Sequence, residues 1–348
     1  MPTVPNDDQN TSPLFGVLLT NLGSPTAPTS RAVRSYLREF LADPRVVDLP
    51  RIRWWLIRNL FILPFRPRRS ASLYRTIWTA EGSPLVVTTQ RIGEALATRL
   101  EGAHGTEVPV EVAMRYGSPR IADGFEKLAH AGCSRILVLP LYPQYSTATT
   151  ASTCDAVRAA LRRKASPPEI RTVLDYNDHP AYLTALQSSI RSFWEEYGPP
   201  DRLLMSFHGI PRRTADAGDP YPKQCAATTR LLAARLELAP GRWHMAYQSK
   251  FGKEPWLRPA LDDRLVRWGS AGLSGVDVVC PGFSADCLET LEEVASTGRE
   301  RFEAAGGSGY RYIPALNDSR EHIEALAEIV ADHTRDWGGD HDRGSELE

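Results

Sequence analysis

The chain has 348 residues, enough for two domains that each carry a core. Its 41 basic and 42 acidic side chains leave a net charge of −1, which removes the electrostatic case for a nucleic-acid partner. No run reaches the roughly 18 apolar residues that span a bilayer, and the polar stretch 1–13 does not read as a secretory signal.

In chain order, short apolar runs predict strands at 15–20, 110–115, 136–141, 170–175, 203–207, 243–248, 276–280 and 310–313. Amphipathic stretches predict helices at 121–131, 152–163, 182–197, 223–236, 286–304 and 319–333. Strands alternating with helices of this length form βαβ units and parallel sheets. A closed barrel needs even repeats, and the span 23–108 breaks that rhythm. The expected fold class is therefore α/β, with two four-stranded parallel sheets flanked by helices and a cleft between them. The halves are expected at 14–176 and 177–337, with the last helix free to pack back on the first half. The tails 1–13 and 338–348 are polar and expected to be disordered.

Polar and aromatic residues gather just after the strands: Asn21 to Pro25, Arg115 to Pro119, Tyr142 to Ser146, His208, Gln248 to Lys250, and Pro281 to Ser284. In open α/β sheets ligands bind at the carboxyl ends of strands, so these residues mark one rim and one cleft. No GxGxxG, GxxxxGK[ST] or GxSxG pattern occurs, which excludes the usual dinucleotide site, the P-loop and the hydrolase elbow.

His208 ends an apolar run at a Gly209–Pro211 turn, where a fixed backbone aims the ring into the cleft. An imidazole there can take a proton or meet a metal ion; its bland alternative is a core histidine satisfied by backbone. Asp286, Glu289 and Glu293 are spaced three and four apart, which puts them on one face of a helix opening at Asp286. Such a row suits a metal ion in transit and proton relay, while acids in a first helical turn also simply offset its dipole. Glu292 and Glu300 are expected to be solvated. Residues 51–69 combine Trp54, Trp55 and six arginines with no acid. This is either a buried helix with a basic rim or a surface meeting lipid or a flat apolar ligand with carboxylate tails. Five cysteines with no CxxC pair point to reduced thiols in a cytoplasmic protein.

Nine segments carry a resemblance in the right order. They are Gly16 to Pro25, Glu81 to Pro84, Arg115 to Pro119, Leu141 to Ser146, Ser206 to Pro211, Gly218 to Pro222, Gln248 to Gly252, Glu254 to Trp256 and Asp286 to Thr290. Together they resemble the ferrochelatases, most strongly the proteobacterial type, over about residues 14–337. The resemblance implies two flavodoxin-like domains and insertion of Fe(II) into a porphyrin, with no cofactor required. It makes His208 and Glu289 the catalytic and metal-site residues, and it puts Asp286 and Glu293 on a metal or proton relay. It places Tyr74, Arg115, Tyr116, Tyr142 and Trp256 along the porphyrin cleft. Coproporphyrin-using relatives have a tyrosine where this chain has Leu22, so protoporphyrin IX is the implied substrate. Trp54 and Trp55 would meet the porphyrin or the inner face of the cytoplasmic membrane. Some ferrochelatases hold an iron–sulfur cluster through cysteines near the C-terminus; with none after Cys287, no cluster is expected. A coproporphyrin ferrochelatase, a cobalt or nickel chelatase and a non-catalytic porphyrin binder are the alternatives.

Overall fold

The computed structural model describes residues 15–338 apart from 163, 165, 251 and 253, so the expectations for the tails fall outside it, Gly338 excepted. The first half runs β1 (Gly16–Asn21), α1 (Ser30–Phe40), α2 (Arg51–Ile57), α3 (Leu63–Ile77), α4 (Pro84–His104), β2 (Val110–Met114), α5 (Ile121–His130), β3 (Arg135–Pro140), α6 (Ser152–Leu161) and β4 (Glu169–Thr172). The second runs α7 (Pro180–Tyr197), β5 (Arg202–His208), α8 (Arg212–Asp216), α9 (Tyr221–Arg235), β6 (Trp243–Gln248), α10 (Leu261–Ser270), β7 (Val276–Val279), α11 (Arg299–Ala304), β8 (Tyr310–Ile313) and α12 (Arg320–Thr334). All eight predicted strands form, within a few residues of the expected ends.

Both sheets are parallel and repeat one order, β2-β1-β3-β4 and β6-β5-β7-β8. That is the start of the flavodoxin-like order, in which ligands sit beyond the carboxyl ends of the strands. The central strands are buried on both faces and so read as unbroken apolar runs. Alternation then sorts their side chains between layers. Val17 and Leu19 of β1 and Met205 and Phe207 of β5 enter one large core together with α4, α7, α9 and α12. Leu18 packs instead under Phe125 and Val157, and Leu204 under Leu265 and Trp268. The largest core therefore lies between the two sheets.

The chain closes on its own beginning. From α12 and the turn after it, Glu324 meets Arg99, Asp336 meets Arg171, and the Trp337 ring lies 5.8 Å from that of Phe15. The span 23–108 that broke the rhythm folds as α1 to α4, with a smaller cluster of Val33, Leu37, Leu63 and Tyr74. Between α2 and α3 the helix widens to a π-turn at Arg58–Ile62, and a second π-turn, Thr147–Ala151, leads into α6.

Candidate active site

Strand β5 carries His208 out of the sheet in register with Gln248 on β6. The Gly209 carbonyl lies 2.6 Å from His208 Nδ1. A carbonyl can only accept, so Nδ1 carries a proton and Nε2 is the ring nitrogen left for a proton or a metal ion. Gly209 is required by close approach: a Cβ there would come within 2.8 Å of the Gln248 carbonyl oxygen. The Trp256 ring lies 6.4 Å from the His208 ring, carried there by a bridge between Pro211 and Trp256.

The acidic segment reaches this place by a different route from the one the spacing predicts. Regular structure begins at Leu288, and Glu289–Gly298 is a π-helix that continues into α11. Hydrogen bonding to the fifth residue widens a helix and recurs at functional sites. Asp286 therefore precedes the helix, and the expected common face of three acids is corrected to a pair, Glu289 and Glu293. Asp286 is buried and fully engaged. Its carboxylate accepts from Tyr312 (2.6 Å), Thr290 (2.8 Å) and Asn317 (2.8 Å). Glu292 is only half-buried and accepts from Thr297 at 3.0 Å.

The loop after β6 holds the pair. Gln248 accepts from Ser206 at 2.7 Å and donates to the Glu289 carbonyl at 3.0 Å. Ser249, at φ 65, donates its N–H and its hydroxyl to the Glu293 carboxylate. Burial pushes the Glu293 carboxyl up; the Ser249 hydroxyl and the charge of His208 oppose this, and Glu289 adds to it. His208 and Glu289 thus both act electrostatically on Glu293. The charge of Glu289 also reaches the buried phenols of Tyr36 and Tyr74, both raised mainly by burial. The pair therefore stands between the strand-end histidine and a wall made by α1 and α3.

The other expected cleft residues separate into two groups. Arg115, Tyr116 and Tyr142 form a knot at the ends of β2 and β3. The Arg115 guanidinium lies 4.3 Å over the Tyr116 ring and bonds Ser152 Oγ at 2.6 Å. Its other partner, Asp43, also accepts from Tyr116 (2.8 Å) and Ser152 (2.6 Å). Burial would raise the Asp43 carboxyl, but the bonds from Ser152, the Arg45 N–H and Tyr116, with the Arg115 charge, hold it below the usual range. Tyr116 is 1% exposed, which puts it inside the wall, where it can border a cleft but not line it. Tyr142 is buried beside it, feeling the charges of both. Leu22 is half-buried between the large core and the α1–α3 cluster, which includes Tyr74.

Trp54 and Trp55 part company. The Trp54 indole donates to the Leu41 carbonyl at 2.6 Å and packs on the α1–α3 cluster, while Trp55 is 54% exposed. Ile52, Leu60, Phe61 and Phe65 are exposed beside it. Asp43 and Asn317 had no role in the sequence reading, and Ser249 figured only as part of the rim segment Gln248 to Lys250. The only advance signal was for Ser249, inside a motif that directly follows a strand.

Comparison with known proteins agrees with this geometry. A sequence profile described as Ferrochelatase matches residues 15–334. A ferrochelatase of Thioalkalivibrio sulfidiphilus is 53% identical over 333 residues, covering 95% of this chain and 90% of that protein. One from Aromatoleum aromaticum is 52% identical over 322 residues, covering 92% and 88%. The sirohydrochlorin chelatase SirB of Bacillus subtilis, solved in complex with cobalt, shares the fold at a TM-score of 0.52 and 13% identity, covering 93% of this chain and 97% of that one. With half of its residues shared along almost its whole length, the chain belongs to the ferrochelatase family.

Proposed function

We propose that the chain inserts ferrous iron into protoporphyrin IX, giving protohaem and two protons as the last step of haem synthesis. The observation that carries this reading is the grouping of His208 with Glu289 and Glu293 at the carboxyl ends of β5 and β6, on elements of the second half.

The reaction needs an ion stripped of water and two proton acceptors. Each pyrrole N–H bond breaks with its electron pair left on nitrogen, and that pair forms the new bond to iron. The two protons pass to His208 Nε2 and to a carboxylate, Glu293 being the better acceptor because burial raises it. Glu289 is the residue assigned to meet the metal from the opposite side. Iron is here a substrate in transit. Among the described residues no three His, Cys, Asp or Glu side chains converge to hold an ion, and an ion shared with porphyrin nitrogens needs fewer protein ligands. No resident cofactor or iron–sulfur cluster enters the scheme. Asp286 serves it as an anchor, its carboxylate already holding three donors.

Leu22, packed against the α1–α3 cluster, supports protoporphyrin over coproporphyrin. The exposed side chains of Ile52, Trp55, Phe61 and Phe65, with the arginines of 51–69, support peripheral contact with the inner face of the cytoplasmic membrane. Among the described residues no helix is long and apolar enough to cross a membrane.

The test is anaerobic insertion of Fe(II), with Zn(II) as a fluorescent check, into protoporphyrin IX and coproporphyrin side by side. The expected result is turnover with kcat/KM higher for protoporphyrin. Binding of porphyrin without turnover would reduce the chain to a carrier.

A further inference from the structure

The proposed reaction uses Glu289 and Glu293, but what fixes the start of the helix that bears them is a residue 31 positions after Asp286, beyond β8. Asn317 grips residue 286 at two points. Its amide nitrogen donates to Asp286 Oδ2 at 2.8 Å, and its amide oxygen accepts the Asp286 N–H, also at 2.8 Å. Asn317 itself sits at φ 48, in the left-handed region that asparagine tolerates better than most residues. Its N–H donates to the Ser284 carbonyl at 3.0 Å, so both ends of the segment 284–286 are held by one residue.

The grip continues into α12. The His322 ring lies 2.5 Å from the Asn317 carbonyl through Nδ1, which must therefore carry the proton. His322 is fully buried and its Nε2 has no hydrogen-bond partner among the described residues, so the ring is neutral and its one donated bond is aimed at Asn317. Along the same helix Ile323, Leu326, Ile329 and Val330 lock α12 into the large core, and Glu324 ties it to Arg99 on α4. The lead-in to the acidic helix in the second half is thus fixed by a helix docked on the first.

We propose that Asn317, oriented by His322, is a positioning residue for metal insertion. It sets where Asp286 lies, and through Thr290, which donates to Asp286 at 2.8 Å and accepts the Cys287 N–H at 2.9 Å, it sets how the chain enters the π-helix. Glu289 begins that helix three residues after Asp286. Reacting groups must be held to within about 0.5 Å, and a misplacement of about 1 Å costs on the order of a hundredfold in rate. Residues outside the active site that set this geometry therefore change turnover without touching substrate. The inference rests on the metal-insertion reading given above.

The test uses the full chain and three variants. Asn317→Gly keeps the φ accessible and removes the amide, His322→Leu removes the ring donor, and His322→Asn keeps an N–H donor at the Nδ1 position. Melting temperature, porphyrin affinity, kcat, KM for metal and backbone hydrogen exchange over 284–292 are measured for each. Asn317→Gly and His322→Leu should lower kcat/KM for metal by about tenfold or more. Porphyrin affinity should stay within about twofold, and exchange should quicken over 284–292 but not in the sheets. His322→Asn should restore most of the rate. Unchanged metal kinetics and unchanged exchange in Asn317→Gly would overturn the proposal. So would a parallel fall of porphyrin affinity, metal kinetics and melting temperature, because that marks a structural role only. If the unaltered protein inserts no metal, the functional reading falls on that result alone, and the exchange pattern still decides whether Asn317 holds the acidic segment.

Discussion

Ser249 holds both carboxylate oxygens of Glu293, its N–H donating to Oε1 at 2.6 Å and its hydroxyl to Oε2 at 2.5 Å. A serine at φ 65 adopts a backbone conformation that costs on the order of 1 kcal/mol, and such strain persists only where the surroundings over-determine it. Here the surroundings are β6, whose last residue pairs with His208, and the π-helix, whose second acid Ser249 binds. One strained residue thus ties the histidine and the carboxylate together.

Removing the Ser249 hydroxyl should therefore show in the pH profile. Burial raises the Glu293 carboxyl and the hydroxyl lowers it, so Ser249→Ala leaves it harder to ionise. A proton acceptor works only when ionised, so the acid limb of kcat/KM against pH should move to higher pH while the plateau falls by less than about tenfold. The two profiles measured side by side decide it. An unmoved acid limb would assign that ionisation to another group.

His208→Ala and Glu289→Gln should each cut kcat by about a hundredfold or more while porphyrin still binds, since each removes a group acting in the transition state. Glu292→Gln is the control: its partner is Thr297, on the same helix and away from His208. Single-turnover insertion with zinc, together with porphyrin titration, separates chemistry from binding. Equal losses in Glu289→Gln and Glu292→Gln would remove the special place given to Glu289.

The central strands were legible because a doubly buried parallel strand is an apolar run with few rivals, and the half-buried edge strands 243–248 and 310–313 were read to the residue as well. His208 was legible for a similar reason, since a glycine and a proline just after such a run can only be a turn. The acidic helix was read as one regular helix because spacings of three and four look alike in α- and π-helices until the backbone is seen. Asp286 was misplaced for a further reason: two of the partners that occupy it, Tyr312 and Asn317, are 26 and 31 residues away in sequence. Tyr116 points the same way, because its hydroxyl answers to Asp43, 73 residues earlier.

Trp54 and Trp55 should behave differently although they are neighbours. Trp54 is pinned by the Leu41 carbonyl and packed on the α1–α3 cluster, so Trp54→Ala should lower stability by about 3 kcal/mol. Trp55 is exposed among Ile52, Phe61 and Phe65, so Trp55→Ala should leave melting nearly unchanged and weaken co-sedimentation with anionic vesicles. Vesicle binding that survives both Trp55→Ala and Phe61→Ala would move any lipid contact elsewhere on the surface.

His322 gives the fold a dependence on acid that can be read apart from catalysis. Burial lowers its pKa from 6.5 to about 4; the bond to the Asn317 carbonyl and the nearby charge of Asp318 act the other way but do not cancel it. Between these values the unfolded chain binds a proton that the native chain refuses, because a charge on Nε2 would be buried without an acceptor. The contribution is therefore fully present above pH 6.5 and is lost as pH falls toward 4, about 3 kcal/mol in all. His322→Gln carries no such group. Urea unfolding at steps from pH 7 to pH 4.5 should show the stability of the unaltered protein falling faster than that of the variant, with the difference growing by roughly one proton's slope. Parallel curves would mean that the ring already finds a partner for its second nitrogen, and the neutral tautomer aimed at Asn317 would have to be abandoned.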